Sequence, residues 1–436
     1  MQSDIVIVGG GAGGLELACK LGRKLGPSKV ALVDCRLSHI WKPSLHEVAA
    51  GTLDINQEGL SYQMLAHDNG YAFVYGPMVA LDPATKRLTV GAVNEGTEQL
   101  LPARELAYGA LVIAVGSTSN YFGVPGAREH TISLNATEDA EHFRLTLLKL
   151  LNRAEHKRSA APSAPDTGAV VNIVIIGGGA TGVELAAELR EASGVYAAYG
   201  LHHLRAERDV RITLLEGAPR ILAPLPQRVA AAALKLLARR AIDVVTACRV
   251  TAVGADRVSV ADGPDYPADL CVWAAGIKAP ELLATLGLPT AKGGQVQVDG
   301  ALRVPGHADI YAMGDCAACV DAKGKVVPPR AQAAHQQAHF LYQALLEKAR
   351  GKAPSRAQYV YRDYGSLVSL GQSSTVGSLM GSLRGLSWFV EGFFARLMYV
   401  SLHLMHHQAV LGTVRTAVLA VARFLIKRST PLVKLH

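Results

Sequence analysis

The sequence predicts an α/β chain with two parallel-sheet, Rossmann-type units and a C-terminal region suited to membrane association. Three observations carry this. A strand–glycine–helix signature occurs twice, two later strands end in glycine where the chain would cross between units, and the residues from Gly381 onward are both apolar and basic.

The first signature is Asp4-Ile-Val-Ile-Val-Gly-Gly-Gly-Ala-Gly-Gly-Leu-Glu-Leu-Ala18, and the second is Asn172-Ile-Val-Ile-Ile-Gly-Gly-Gly-Ala-Thr-Gly-Val-Glu-Leu-Ala186. In each, a β-branched apolar run reads as a buried parallel strand, and the residues after G-x-G-x-x-G read as a helix. Gly9 and Gly177 allow the tight turn, while Gly11 and Gly179 let the backbone approach a pyrophosphate. Gly14 and Gly182 let the helix pack on its strand, so that its N-terminus faces the phosphate charge. One such loop is a weak signal. Two in the same context predict two bound dinucleotides.

An acid ending the next strand should hold the adenosine ribose, and Asp34 and Glu216 take those positions. A carboxylate there favours a free 2′-hydroxyl, hence NADH over NADPH, although nearby Arg220 leaves NADPH open. Downstream, Ala308-Asp-Ile-Tyr-Ala-Met-Gly-Asp-Cys-Ala317 matches a late flavin motif in which Gly314 and Asp315 meet the ribityl chain of FAD. The strands Leu111–Gly116 and Leu270–Gly276 mark the crossings. The expected division is 1–120 with 290–365 for non-covalent FAD, 121–289 for NADH, and 366–436 for membrane anchoring.

Composition bounds the rest. A chain of 436 residues, half of them hydrophobic, has room for two or three domains. The segment Asn152–Gly168 reads as a solvated linker. The first strand follows Met1-Gln-Ser directly, leaving no room for a targeting segment. Six scattered cysteines fit a reducing compartment, so a prokaryotic cytoplasmic or cytoplasm-facing protein is expected. Of the net charge of +8, most lies in the tail, where Arg384, Arg396, Arg415, Arg423, Lys427, Arg428 and Lys434 face only Glu391, a net of +6. Nucleic-acid binding is not expected, since no module for it is present.

Between these landmarks lie the chemical candidates. Ser38–Ala49 should sit beneath the flavin and carries Trp41, Lys42 and Pro43 instead of a cysteine pair. Lys42 either stabilises the charge of reduced flavin or is a surface lysine after a buried tryptophan. Glu16 and Glu184 occupy equivalent places. Glu184 either positions the nicotinamide or, like Glu16, complements a helix dipole. Cys316 and Cys319 read as buried thiols, with a redox or soft-metal role as the alternative. Gln332, His335 and Gln336 share one helical face after Pro328 and Pro329, suited to flavin carbonyls or a two-carbonyl acceptor, or simply to solvent.

After Tyr364 the segments Gly365-Ser-Leu-Val-Ser-Leu and Thr375-Val-Gly-Ser-Leu read as strands, and Trp388–Lys427 as helical. Val414, Val418, Val421 and Leu425 fall on one face, with Thr413, Thr416, Arg423 and Lys427 opposite and Arg415 on the flank. Leu397–Val414 has no Lys, Arg, Asp or Glu, but a span needs ~20 apolar residues, so a helix lying on the membrane is favoured over one crossing it. A buried dimer interface is the soluble alternative.

Over essentially its whole length the chain resembles the bacterial type II NADH dehydrogenases, single-subunit NADH:quinone oxidoreductases that pump no protons. The resemblance rests on both glycine loops, His39-Ile-Trp-Lys-Pro43, Trp273-Ala-Ala-Gly-Ile-Lys-Ala-Pro280, Pro328-Pro-Arg-Ala-Gln-Ala-Ala-His-Gln-Gln337, Tyr364-Gly-Ser-Leu-Val-Ser-Leu370 and Ser374-Thr-Val-Gly-Ser-Leu-Met380. It implies a glutathione-reductase-like fold, hydride transfer from NADH C4 to flavin N5, and two electrons passed to quinone. It also implies that Glu184 lies near nicotinamide and isoalloxazine, and Gln332 and His335 on the quinone side. Lys42, Pro43, Val79, Gly116 and Gly276 join the expected cofactor contacts. Expected partners are a membrane quinone, an anionic lipid surface and a second copy in a homodimer, at the cytoplasmic face of the inner membrane. A sulfide:quinone reductase is the rival enzyme, but no cysteine lies between Cys35 and Cys248 to complete its pair. A non-catalytic flavin-binding redox sensor is the rival outside enzymes.

Overall fold

The structure is a computed structural model and describes residues 1–160, 170–353, 355, 357–371, 375–380, 387–429 and 433–434. Strand β1 (Gln2–Val8) leads through the first glycine loop into helix α1 (Ala12–Leu25) and then β2 (Val30–Asp34). Helix α2 (Leu45–Ala50), β3 (Ala72–Tyr75), β4 (Met78–Asp82), β5 (Arg87–Val90) and β6 (Arg104–Ile113) follow. They order as β3-β2-β1-β6-β5-β4, with the first four parallel and the last two antiparallel. The end of β6, at Leu111–Ile113, also pairs in parallel with Ile310–Ala312. That pairing brings the late flavin motif beside the first glycine loop.

A second parallel sheet follows the same recipe. Its elements are β7 (Ile132–Ser133), α3 (Thr137–Ala160), β8 (Val171–Ile176), α4 (Ala180–Ala198), β9 (Val210–Leu215), β10 (Ile242–Val245) and β11 (Leu270–Trp273). The order is β7-β11-β8-β9-β10. Strand β8 is β-branched at every position but Asn172, and such side chains are stiff and pack well on a pleated surface. Each Val, Leu or Ile buried this fully stabilises by ~1.5–3 kcal/mol. Leu45, Val48, Ala49 and Ala50 of α2 enter the core of this second sheet alongside Phe143, Leu147 and Leu185. The two sheets are therefore welded through α2.

The two crossings meet. Thr118–Ser119 pairs antiparallel with Ile277–Lys278, and the Asn120 amide donates to the Gly276 carbonyl at 3.1 Å. Gly276 has φ +100°, and a Cβ there would come within 2.8 Å of the Phe122 ring.

Beyond α5 (Ala331–Ala349) the chain forms a three-stranded antiparallel sheet, β12 (Gly365–Ser369), β13 (Thr375–Met380) and β14 (Ser387–Glu391). Helices α6 (Phe393–Leu411) and α7 (Thr413–Ser429) complete it. Trp388, expected in a helix, instead lies in β14, where its aromatic and β-branched neighbours pair with β13. A second correction concerns Asn152–Ala160, expected in a linker. These residues extend α3, because Leu151 and Ala154 continue the buried stripe of Phe143 and Leu147, and Arg158 pairs with buried Asp209 at 2.6 Å. Residues 161–168 of that expected linker lie outside the described residues.

The tail is not a detachable appendage. Val410 and Val433 are buried in the cores of the first and second sheets respectively. Lys434 donates its amide to Gly51 at 2.8 Å and its ammonium to Asp54 at 3.0 Å, while its carbonyl accepts from Arg144 and Tyr196. Among the described residues, no helix is long and apolar enough to cross a membrane.

Candidate dinucleotide and acceptor sites

Both glycine loops are built by the same contacts. Gly9 and Gly177 have φ +103° and +112°, and a Cβ on either would strike the backbone at Ala114 or Ala274. A Cβ on Gly14 or Gly182 would lie 1.9 Å from the carbonyl of Gly9 or Gly177. At Gly11 and Gly179 a Cβ would meet nothing within 4 Å. The open side of each loop is thus where the first-turn amides of α1 and α4 face outward, an arrangement that suits an anion. The strand-end acids are tied to the loops. Asp34 Oδ2 accepts from the Gly10 amide at 2.6 Å. Glu216 Oε2 accepts from the Gly178 amide at 2.5 Å, and its Oε1 accepts from Ala218 at 2.6 Å. Arg220, the residue that could admit NADPH, is turned into its own loop, donating to the Leu225 and Ala223 carbonyls.

The flavin-side residues converge from three parts of the chain. Lys42 Nζ donates to the Ser117 carbonyl at 3.1 Å, and Ser117 Oγ donates to Asp315 Oδ2 at 2.8 Å. Burial lowers the Lys42 pKa, opposed by nearby Asp315. Gly116 and Gly314 have φ +73° and +72°, conformations that favour glycine. Pro43 lies in the turn Lys42–Ser44. Val79 is exposed on β4, just past Gly76, whose amide donates to the Asp34 carbonyl. The open first loop, the acid beside it and this lysine–serine–aspartate chain fit FAD.

Equivalent glutamates have opposite surroundings. Glu16 is buried, which raises its pKa. Contacts with His335 Nδ1 at 2.7 Å and Lys20 at 2.6 Å outweigh that, and its carboxyl ends below the ordinary value. Glu184 is buried without such a cation, and burial pushes it up to about 7 against the pull of His46. Its Oε1 accepts from the Ser369 amide at 3.0 Å, and its Oε2 lies 3.7 Å from His46 Nδ1. Glu188, one turn on, is also raised by burial to about 7 and accepts from Thr52.

The acceptor-side helix face is more engaged than its sequence suggests. Gln332 donates to the Gly365 carbonyl at 3.0 Å and accepts from the Tyr364 amide. Gln336 bonds both ways with Arg362. These amides hold the segment leading into β12. His335 remains partly exposed. Cys316 and Cys319 are buried free thiols, pushed by burial to about 11.

Sequence reasoning missed several residues. Gln337, fully buried, accepts from the Gly314 amide at 2.7 Å and so fixes the flavin motif. His39 accepts no proton readily, since burial lowers its pKa to about 4. Its Nδ1 faces the Gly10 carbonyl at 2.9 Å and its Nε2 faces His406 Nε2 at 2.9 Å. Because a carbonyl only accepts, His39 carries its proton on Nδ1 and His406 donates from Nε2. His39 and Gln337 stood at the ends of family motifs without a role of their own, and Glu188 had a signal in its i+4 spacing from Glu184.

The Glu184 environment has a measurable consequence. A carboxyl whose pKa is raised on folding gives stability that is full below its unfolded value of 4.5 and is lost as pH rises to about 7. The melting temperature should therefore fall between pH 5 and pH 8, and fall less in Glu184→Gln. An equal fall in both proteins would contradict the assignment.

Comparison with known proteins identifies the family. The pyridine nucleotide-disulphide oxidoreductase family matches residues 3–338. The type II NADH:quinone oxidoreductase of Haemophilus influenzae is 36% identical over 448 aligned residues, covering 100% of both chains. The type II NADH:quinone oxidoreductase Ndh of Mycobacterium tuberculosis is 26% identical over 92% of this chain and 84% of that one. In fold, the structure of NDH2 from Plasmodium falciparum in complex with NADH matches with a TM-score of 0.80 at 18% identity, covering 100% of each chain. This chain belongs to the pyridine nucleotide-disulphide oxidoreductases and, within them, to the type II NADH:quinone oxidoreductases.

Proposed function

We propose that residues 1–120 and 290–365 bind FAD, that 121–289 bind NADH, and that 366–436 rest on the membrane from which quinone is collected. The enzyme oxidises NADH and reduces a quinone. The observation that carries the residue assignment is the pair of equivalent open loops, each with its own strand-end acid. When bound, FAD supplies the redox chemistry, accepting a hydride from NADH and giving two electrons to quinone.

The chain's own part is to hold and orient. Asp34 and Glu216 would each present a carboxylate to a ribose, and Glu216 with Arg220 turned away favours NADH. Lys42 would place a positive charge beside the flavin, and Asp315 would meet the ribityl chain. Glu184, near neutrality in its proton affinity and 3.7 Å from His46, would hold a proton where nicotinamide and flavin approach. His335 would face the quinone side, and Gln332 would keep β12 in place there.

Anaerobic mixing tests the reading. NADH should bleach the bound flavin rapidly and an added soluble quinone should restore its colour. Purified protein without FAD, or bleaching by NADPH alone, would overturn it.

Attachment to lipid is supported by how α7 sits. Val414, Val418, Val421 and Leu425 are exposed, as are Leu397, Val400, Leu402 and Met405 on α6. On the other side of α7, Thr416 is buried and partly buried Arg423 pairs with Glu58, while exposed Arg415 pairs with Asp68. Lys434 likewise pairs with Asp54, so each basic side chain of the tail among the described residues is paired with a carboxylate of the body. An anionic surface at the cytoplasmic face then contributes less than apolar insertion. Binding to vesicles should persist in 0.5 M salt, a concentration of roughly 3–10 Å Debye length, and should fail in Val418→Asp/Val421→Asp. Release of the wild type by salt alone would contradict this.

A further inference from the structure

One cluster beside α6 has no part in the chemistry above. His403 and His407 lie one turn apart on α6, their rings stacked with centroids 4.4 Å apart. Glu58 reaches them from the short helix Ile55–Glu58, more than three hundred residues earlier in the chain. One ligand atom from each of the three lies within 4.8 Å of the others. His407 is buried and Glu58 half-buried.

We propose that Glu58, His403 and His407 form a binding site for a divalent transition-metal ion of the zinc class, for which Arg423 is the built-in competitor. Two imidazoles and one carboxylate are a borderline-soft donor set of the kind zinc takes with a fourth position left to water. Tetrahedral zinc with ~2.0 Å bonds needs ligand atoms roughly 3.3 Å apart. The three ligand atoms lie within 4.8 Å of one another, so a bound ion would draw them together. Its surroundings also suit a ligand set. The His407 ring hydrogen-bonds to the His403 carbonyl, the type of outer contact that fixes a metal-binding imidazole. Trp41 meets the His403 ring edge-on, with centroids 4.9 Å apart, and supplies an apolar wall.

Arg423 sets the condition for binding. Its guanidinium pairs with Glu58, so a metal ion must take that carboxylate from it. Metal binding and the Arg423 contact between α7 and the body are then mutually exclusive. A metal ion would cost α7 one of its ties.

The test uses the FAD-loaded enzyme and Zn²⁺ alone, titrated against a chromophoric chelator, with FAD content recorded for every variant. The wild type should bind one Zn²⁺ per chain saturably. Glu58→Gln and His403→Ala should each weaken binding roughly 10-fold or more, and Arg423→Gln should tighten it. No saturable binding by the wild type would overturn the site. So would binding unchanged in Glu58→Gln, or weakened in Arg423→Gln. Should His403→Ala lose its FAD, Glu58→Gln and Arg423→Gln decide, since their predicted shifts have opposite signs. Turnover is not the readout, so the outcome is independent of the NADH and quinone assignments.

Discussion

The hydrogen bond from a glycine-loop amide to the acid ending the neighbouring strand is the contact on which both halves of this enzyme depend. It measures 2.6 Å from Gly10 to Asp34 and 2.5 Å from Gly178 to Glu216. A charge-assisted bond of this kind is shorter and stronger than a neutral one. It pins the loop to the sheet, so that the remaining amides of the first helical turn stay open on the other side. The other oxygen of each acid accepts a backbone amide just past its own strand, Arg36 for Asp34 and Ala218 for Glu216. Helix packing needs the same economy of space, since Gly14 and Gly182 lie against the carbonyls of Gly9 and Gly177 with no room for a Cβ.

Repetition of the loop did not bring repetition of its chemistry. Glu16 and Glu184 follow their loops at the same interval, yet one ends below the ordinary carboxylate value and the other near 7. The difference comes from what the rest of the chain lays against each. His335 and Lys20 supply cations to Glu16, whereas Glu184 meets the Ser369 amide and the more distant His46. Burial acts on both, and only the nearby cations decide which way each carboxyl ends.

Local pattern made the loops, both strand-end acids, the crossings and the late flavin motif legible, because each is a short stretch whose shape follows from its own residues. Features made by distant residues were not. Gln337 on Gly314, His406 on His39 and Lys434 on Gly51 each join segments whose proximity no periodicity reveals. Charge misled in two places. Asn152–Ala160 looked solvated but extends α3 through Leu151 and Ala154. The basic residues of the tail were expected to attract an anionic surface, but Arg415 and Arg423 pair with carboxylates of the body and the valines lie outside.

Two loops holding two different dinucleotides is the central claim, and the geometry offers a direct measurement of it. Gly11 and Gly179 have φ near −63° and −72° and open space where a side chain would go. Valine at either position leaves the fold unstrained and fills only the approach of a pyrophosphate. Flavin absorbance of the purified proteins, followed before and after anaerobic NADH, separates the two sites. Gly11→Val should be purified with little or no FAD, whereas Gly179→Val should retain its FAD and bleach with NADH at least roughly 10-fold more slowly than the wild type, a loss of ~1.4 kcal/mol or more. Normal bleaching in Gly179→Val, or full FAD content in Gly11→Val, would contradict the assignment of the loops.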